Sequence, residues 1–508
     1  MAAMSNRINR WAPWTLAGLA LVARLIPGPR TIDDAYIIFR YARNLLAGNG
    51  FVYNPGQPVL ATTTPLYSIL MAALGAIAGG PKADFPLIAL LLNAILGALS
   101  CWLLARLGSQ LGAPYAGWSA AAVWAVAPMA VTFAIGGMET SLFVALLLAA
   151  YAASFGKRPT LSAAAASFAL LTRPDGLLFI LPLLLERLRE LWFEQAGPKR
   201  RAAMARESAV FLAPLLLWGL AATVYYGSPI PTSIGAKINA YRLPPDAALV
   251  RLLQHYGTPF LGHLTFGNYW IGVGLFVFPV LFFLGALRAV RQHRRSWPLF
   301  VSPWLYFAAY AIANPLLFRW YLAPPLPFYF LGIFLGVDRI AKDTRSWLPT
   351  VGLAAAALGL TLVGWTLHPD HGPDRPAPQM AYIKLELLYQ QVGEELAAEL
   401  APGQTVGAGD VGALGYYSRA TIVDTLGIIT PAAQHFYPTD PDFYVINYAI
   451  PPDLIRQLAP SRLVILEVYG RKGLLLDPTF VTDYKLERTI PTDIYSSRGM
   501  LIFDRVGD

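Results

Sequence analysis

The chain has 508 residues, of which 56% are hydrophobic and only 14% charged, with a mean hydropathy of +0.48. That is more apolar surface than one water-soluble core buries, and it comes in runs of about 15–24 residues, which excludes a soluble globular domain and marks a polytopic membrane protein. The net charge of +9 does not point to nucleic acid, because the basic residues lie beside apolar runs, where they face anionic lipid.

Arg7 and Arg10 precede the first apolar stretch, Trp11 to Pro27, and no small-residue cleavage site follows it, so it is read as a retained span. Directly after it, Thr31-Ile32-Asp33-Asp34-Ala35-Tyr36 places two adjacent carboxylates at one mouth of that span, where acidic residues need a reason. From Asp33 to Leu46 the residues Ile37, Ile38, Tyr41 and Leu45 share a helical face, with Asp33 or Asp34 as N-cap, and Gly48-Asn49-Gly50 forms a turn. Two readings of the aspartates stay open: they cap the helix, or they work as a pair, with Arg40 and Arg43 two turns on. Thr62-Thr63-Thr64-Pro65 leads into a stretch to Gly80 read as a juxtamembrane or re-entrant helix.

Further spans are expected near 84–107, 115–135, 138–156, 159–172, 174–192, 206–226, 269–291, 297–314, 319–339 and 346–367, about eleven crossings with the first, some short enough to be tilted or broken. The lone Cys101 lies inside one of them, so no intrachain disulfide forms. On this assignment Arg106, Lys157, Arg158, Arg187, Arg189, Lys199, Arg200, Arg201, Arg206, Arg288, Arg291, Arg294, Arg295, Arg339, Lys342 and Arg345 fall on one side, which makes the N-terminus cytoplasmic and the C-terminus extracytoplasmic in a multi-pass cell (inner) membrane protein.

Polar corners then gather on the opposite, outer side. Glu139 lies in Gly136-Gly137-Met138-Glu139-Thr140, Arg173 and Asp175 in Thr172-Arg173-Pro174-Asp175-Gly176, and Arg319 in Asn314-Pro315-Leu316-Leu317-Phe318-Arg319. An outer loop, about 227–268, carries Lys237. Each cation has two readings: it snorkels to lipid headgroups, or it binds a phosphate at the membrane surface.

Past Leu367 the composition changes. Residues 368–379 read as a Pro-, Asp- and His-rich linker, and 380–508 as a soluble α/β domain outside the membrane. It opens with an amphipathic helix, about 380–400, and has strand-like runs at Thr405 to Gly409, Thr421 to Asp424, Leu463 to Glu467, Tyr484 to Ile490 and Met500 to Phe503. Gly407-Ala408-Gly409-Asp410-Val411-Gly412 matches a dinucleotide-binding glycine pattern, yet an external domain meets no nucleotide pool. Tyr416, Tyr417, Phe436, Tyr437, Tyr444 and Tyr448 suit sugar stacking or plain packing. His368, Asp370, His371 and Asp374 can be drawn as metal ligands, though a solvated linker explains them better; no metal is assigned, and a divalent ion on Asp33 and Asp34 has weak support.

Taken together, Asp33-Asp34-Ala35-Tyr36-Ile37, RYARNLLAGNGFVYNPG, TTTPLY, GGMET, LTRPDG, YYGSPIPTSIGAK and GDVGALGYYSRATIVDTLG resemble, in order, the GT-C superfamily of polyprenyl-phosphate-sugar-dependent membrane glycosyltransferases. Within it the chain is most similar to the mycobacterial terminal β-(1→2)-arabinofuranosyltransferase branch. The resemblance implies a GT-C transmembrane catalytic domain over residues 1–367, its outer loop 28–83 carrying the Asp-Asp motif.

It also implies an inverting transfer of arabinofuranose, or another pentose or hexose, from a polyprenyl-phosphate donor to a hydroxyl of a cell-envelope glycan or glycolipid. The departing phosphate is anionic, so the chemistry needs a base and a cation rather than a general acid. Asp33 and Asp34 are the candidate catalytic carboxylates, one as base; Arg173, Lys237 and Arg319 are candidate phosphate ligands; Tyr36, Arg40, Thr63, Thr64, Glu139 and Asp175 are candidate substrate contacts. No cofactor is implied, and the partners are donor, acceptor and membrane lipids. Protein O-mannosyl transfer, lipid A glycosylation and lipid-linked saccharide transport stand as alternatives.

Overall fold

Helices form at every expected apolar stretch of the computed structural model, which describes residues 2–194, 197–260, 267–343, 348–367 and 383–507. The expected linker, with His368, Asp370, His371 and Asp374, lies outside the described residues. In chain order the helices are α1 (Ala2–Leu25), α2 (Asp33–Leu46), α3 (Pro65–Ile77), α4 (Phe85–Gln110), α5 (Pro114–Val126), α6 (Pro128–Ile135), α7 (Thr140–Phe155), α8 (Pro159–Thr172), α9 (Leu177–Glu194) and α10 (Gly197–Tyr226). There follow α11 (Thr232–Ala240), α12 (Ala247–Gly257), α13 (Asn268–Gln292), α14 (Trp297–Ala313), α15 (Leu326–Asp343), α16 (Leu348–Leu367), α17 (Ile383–Glu399), α18 (Gly412–Ser418), α19 (Pro452–Leu458) and α20 (Pro478–Asp483).

Among the described residues four helical stretches are long and apolar enough to cross a membrane alone, namely Phe85–Gln110, Gly197–Tyr226, Asn268–Gln292 and Arg319–Lys342, and the bent pair α5 and α6 makes a fifth. The protein is therefore integral to a membrane. That count is by length and composition alone; α8, with 14 residues, rises about 21 Å against a hydrocarbon core about 30 Å thick and is one of the short spans expected to be tilted or broken.

By internal contacts the chain divides into two units, the first made of Met1–Arg30, Ala89–Leu217 and Pro245–Met380, the second of Thr31–Ile88, Trp218–Pro244 and Ala381–Asp508. The first is a helical bundle. Its expected span 115–135 is bent by 48° where Pro128, lacking an N–H, interrupts the ladder. Arg24 of α1, itself buried, donates to the freed region at Ala125 O, 2.9 Å, and to Ala20 O, 2.9 Å. Close approach of α13 and α15 rests on Gly285 and Gly336, where an added Cβ would collide with the facing backbone. Several arginines at the basic helix ends are internally paired: Arg187 with Glu190 and Glu207, both at 2.8 Å, and Arg189 with Glu186 at 2.7 Å.

The second unit combines α2, α3 and α11 with a five-stranded sheet, in the order β2-β1-β3-β5-β4. Its strands, β1 (Thr405–Ala408), β2 (Thr421–Asp424), β3 (Arg462–Leu466), β4 (Tyr484–Ile490) and β5 (Met500–Arg505), fall on the five apolar runs read from the sequence. β1 runs parallel to β2 and β3, with Val406 opposite Ile422 and Gly407 opposite Leu463; β5 runs antiparallel to β3 and β4. Helix α2 is not one-faced as expected. Residues Ala35 to Ala42 are all buried, Arg40 included, while the expected core residue Leu45 is 39% exposed, because α3 and α18 both pack on α2. It stops at the expected Gly48-Asn49-Gly50 turn.

Candidate active site

Neither aspartate caps α2. The N-cap is Ile32, in extended backbone and without a side-chain bond, and both carboxylates belong to the first turn. Asp33 reaches another helix instead: its Oδ2 accepts the Gly412 N–H at 2.9 Å and its Oδ1 the Ala413 N–H at 2.7 Å. These amides open α18 and have no carbonyl partner within their own helix. They follow β1, whose two neighbours β2 and β3 lie on opposite sides, and in sheets of this kind such a strand's carboxyl end is where loops diverge and anions are received. The glycine pattern set aside in the sequence thus forms the cradle, and the acceptor in it is a carboxyl group of this chain.

Two further acidic groups, the buried Glu386 and the half-buried Asp410, stand around Asp33. Its own N–H donates to Glu386 Oε1 at 3.0 Å, and Asp410, two residues before Gly412, accepts the hydroxyls of Tyr389 at 2.8 Å and Tyr469 at 3.0 Å. Withdrawal from water and the neighbouring Asp410 push Asp33 up to about 8, against the opposing pull of the Ala413 and Gly412 amides. Burial followed by the Asp33 charge holds Glu386 well above the carboxylate range, and burial raises Asp410.

Asp34 points elsewhere. Its Oδ2 lies 3.6 Å from Lys237 Nζ, with the two side chains 33% and 26% exposed, so this carboxylate and ammonium meet at a water-accessible place. Lys237 is held there by α11, whose Thr232 donates to Leu60 O and Ile428 O and whose Ala240 O accepts the Tyr444 hydroxyl at 3.2 Å.

The remaining candidates of this unit have internal partners. Arg40 is 1% exposed and donates to Tyr53 O at 2.9 Å, Asn54 Oδ1 at 3.2 Å, Gly415 O and Ala420 O. Tyr36 shares a hydrogen bond with the Tyr417 hydroxyl at 3.1 Å and packs edge-on against that ring. Thr64 bonds Thr62 at 3.1 Å, and Thr63 is half-buried beside it. Of the aromatics considered for sugar stacking, Tyr437 and Tyr448 lie in the core, bonded through Thr425.

In the helical bundle, Arg173, Glu139 and Asp175 do come together, but around one another. Arg173 Nε and Nη2 grip Asp175 at 3.0 and 2.8 Å, Nη1 reaches Glu139 at 3.2 Å, and the Tyr306 and Tyr310 hydroxyls donate to Asp175 Oδ2 at 3.1 and 2.9 Å. Arg173 is 4% exposed, its guanidinium 4.7 Å from the Tyr321 ring centre. Arg319 starts a short 3-10 turn, half-buried. A cavity of about 400 Å³ in this unit lies among α8, α9 and α10, lined by Lys157, Arg187, Glu207 and Arg295 among others and by none of the candidate site residues.

Sequence reasoning missed Glu386, Tyr389 and Tyr469. Glu386 reads as an ordinary surface residue of an amphipathic helix, whereas Asp410 was visible inside the glycine pattern. No group of three His, Cys, Asp or Glu side chains among the described residues is placed to hold a metal ion. Of the two aspartates, Asp33 is held by amides and Asp34 faces Lys237.

Residues 379–503 match a family described as a domain of unknown function, DUF8728. A stretch of 122 residues is 34% identical to the terminal β-(1→2)-arabinofuranosyltransferase of Mycobacterium tuberculosis, spanning 23% of this chain and 19% of that protein. Among solved structures, ArnT from Cupriavidus metallidurans aligns with a TM-score of 0.57 at 14% identity, over 99% of this chain and 98% of that one. The archaeal oligosaccharyltransferase AglB from Archaeoglobus fulgidus, in complex with an inhibitory peptide and a dolichol-phosphate, aligns at 0.56 and 13% identity, over 93% of this chain and 72% of that one. The chain thus shares the fold of these two solved structures.

Proposed function

We propose that this protein transfers a sugar from a polyprenyl-phosphate donor to a hydroxyl of a cell-envelope glycan or glycolipid on the outer face of the membrane. The observation that carries the reading is the Asp34 and Lys237 pair, a carboxylate and an ammonium 3.6 Å apart and both in reach of water. Asp33, by contrast, is engaged by backbone amides, Arg40 is buried, and Arg173 is buried against Asp175 and Glu139. A carboxylate beside a cation is the equipment the reaction needs.

In the proposed step Asp34 takes the proton of the acceptor hydroxyl as its oxygen attacks the anomeric carbon from the face opposite the phosphate. The anomeric C–O bond to phosphate breaks, its electron pair leaves with the polyprenyl phosphate, and Lys237 stabilises the charge that gathers there. Configuration at the anomeric carbon inverts. Arabinofuranose is the preferred sugar because the partial match is to an arabinofuranosyltransferase.

The test is radiolabel transfer from synthetic polyprenyl-phosphate arabinofuranose and mannose by the purified chain, beside Asp34→Asn. Transfer or slow hydrolysis by the wild type, lost in the variant, supports the reading and fixes the donor. A folded wild type that binds polyprenyl phosphate, turns over neither donor and moves labelled lipid across vesicles would replace it with transport.

A further inference from the structure

We infer that the C-terminal domain is a working part of the catalytic site, in which Asp33, Gly412 and Glu386 are positioning residues that hold Asp34 in place. The inference rests on the transferase reading above and assigns a task to a domain otherwise described only as of unknown function.

The contacts run along the whole length of α2. At its start the Asp33 carboxylate takes the Gly412 and Ala413 amides, and the Asp33 N–H is taken by Glu386 of α17. Two and three turns further on, Arg40 donates to Gly415 O and Ala420 O, and Arg43 to Tyr416 O at 2.8 Å. Acid therefore meets the free amides of α18 and base meets its free carbonyls. Loop residues fix the same alignment: the Tyr53 hydroxyl donates to Val411 O, and Asn54 exchanges bonds with the backbone of Ile422 at 2.9 and 3.1 Å.

Almost all of these bonds go to backbone, so they set position rather than adapt to side-chain rotamers. Gly412 is the closest point. A Cβ there would collide with the carbonyl oxygen of Asp33 and come within 2.7 Å of its carboxyl carbon. The residue after Asp33 is Asp34, so any displacement of the Asp33 backbone is passed directly to the proposed base. Its partner is referenced to the same domain, because α11 is tied to Ile428 and Tyr444. Both halves of the Asp34 and Lys237 pair are thus registered to one sheet. A base displaced by 1 Å costs about 100-fold in rate, so the arrangement has kinetic consequences.

The experiment compares Gly412→Ala, Glu386→Leu and Glu386→Gln in the full-length protein, with kcat and donor KM measured on material that melts cooperatively. Gly412→Ala and Glu386→Leu are expected to lower kcat about 100-fold while donor KM stays within about threefold, and Glu386→Gln, which keeps an acceptor for the Asp33 N–H, to retain kcat within about fivefold. A folded Gly412→Ala with wild-type kcat overturns the inference. Amide hydrogen exchange gives a readout that needs no turnover: Gly412 and Ala413 are protected in the wild type and released in Asp33→Ala. Equal protection in both also overturns it. If the wild type transfers no donor but the exchange difference stands, the transferase reading fails and the joint between α2 and α18 does not.

Discussion

Two charged clusters of this protein, one in each unit, were equally visible as polar residues beside apolar runs, yet they are built in opposite ways. In the helical bundle, Arg173 is closed in by Asp175, Glu139 and aromatic rings, and Asp175 is capped by two tyrosines. In the second unit, Asp34 and Lys237 face each other with a third and a quarter of their surface open. A charge that must survive burial is paired on several sides and has little left to offer a substrate. A charge meant to exchange protons or meet phosphate stays reachable and loosely held. Charge beside a span is therefore not enough to mark a site; what separates these two clusters is exposure.

Variants can break this contrast. The largest expected effect is that of Asp34→Asn, a loss of about 1,000-fold in transfer rate with a melting temperature shifted by no more than an exposed pair warrants, read by radiolabel transfer beside calorimetry. Arg173→Ala should do the reverse, lowering stability by about 3–5 kcal/mol because Asp175 and Glu139 are left buried without a counter-charge, as seen in denaturation or thermal unfolding in detergent. If Arg173→Ala unfolds at the wild-type temperature but no longer binds polyprenyl phosphate, the contrast is wrong and the cluster is a phosphate site after all. Lys237→Ala should slow transfer about 100-fold, with Lys237→Arg partly restoring it.

A smaller effect concerns pH. Asp33 is held at about 8 in the folded protein, against about 4 in an unfolded chain, so the folded state binds the extra proton between those values. Stability from this group is present below about pH 4 and is lost as pH rises towards about 8, and Asp410→Asn, which removes the neighbouring charge, should flatten that fall in a pH series of melting temperatures. The smallest effect is expected at the surface: Arg456→Ala breaks an ion pair with Asp453 that is 50% and 70% exposed, for about 0–1 kcal/mol.

Much of the architecture was legible because its causes are local. Apolar runs announced the membrane helices, and the five strand-like runs became the five strands, since both signals are periodic and need only neighbouring residues. Length is one limit of that signal: α8 is a helix as expected, and at 14 residues it is one of the short spans expected to be tilted or broken. Leu45 shows a second limit. The period placed it with the core, and the packing of two further elements on α2 left it outside while burying Arg40.

By itself the sequence determined a membrane protein with an α/β C-terminal domain and an Asp-Asp motif at a span mouth, because hydropathy and short motifs are written residue by residue. Only the tertiary structure decided that Asp33 and Asp34 part company. Neighbouring residues on a helix point about 100° apart, so one carboxylate turned to amides 379 and 380 positions away and the other to Lys237. Those partners come from two distant segments of the chain, and no local pattern could bring them together.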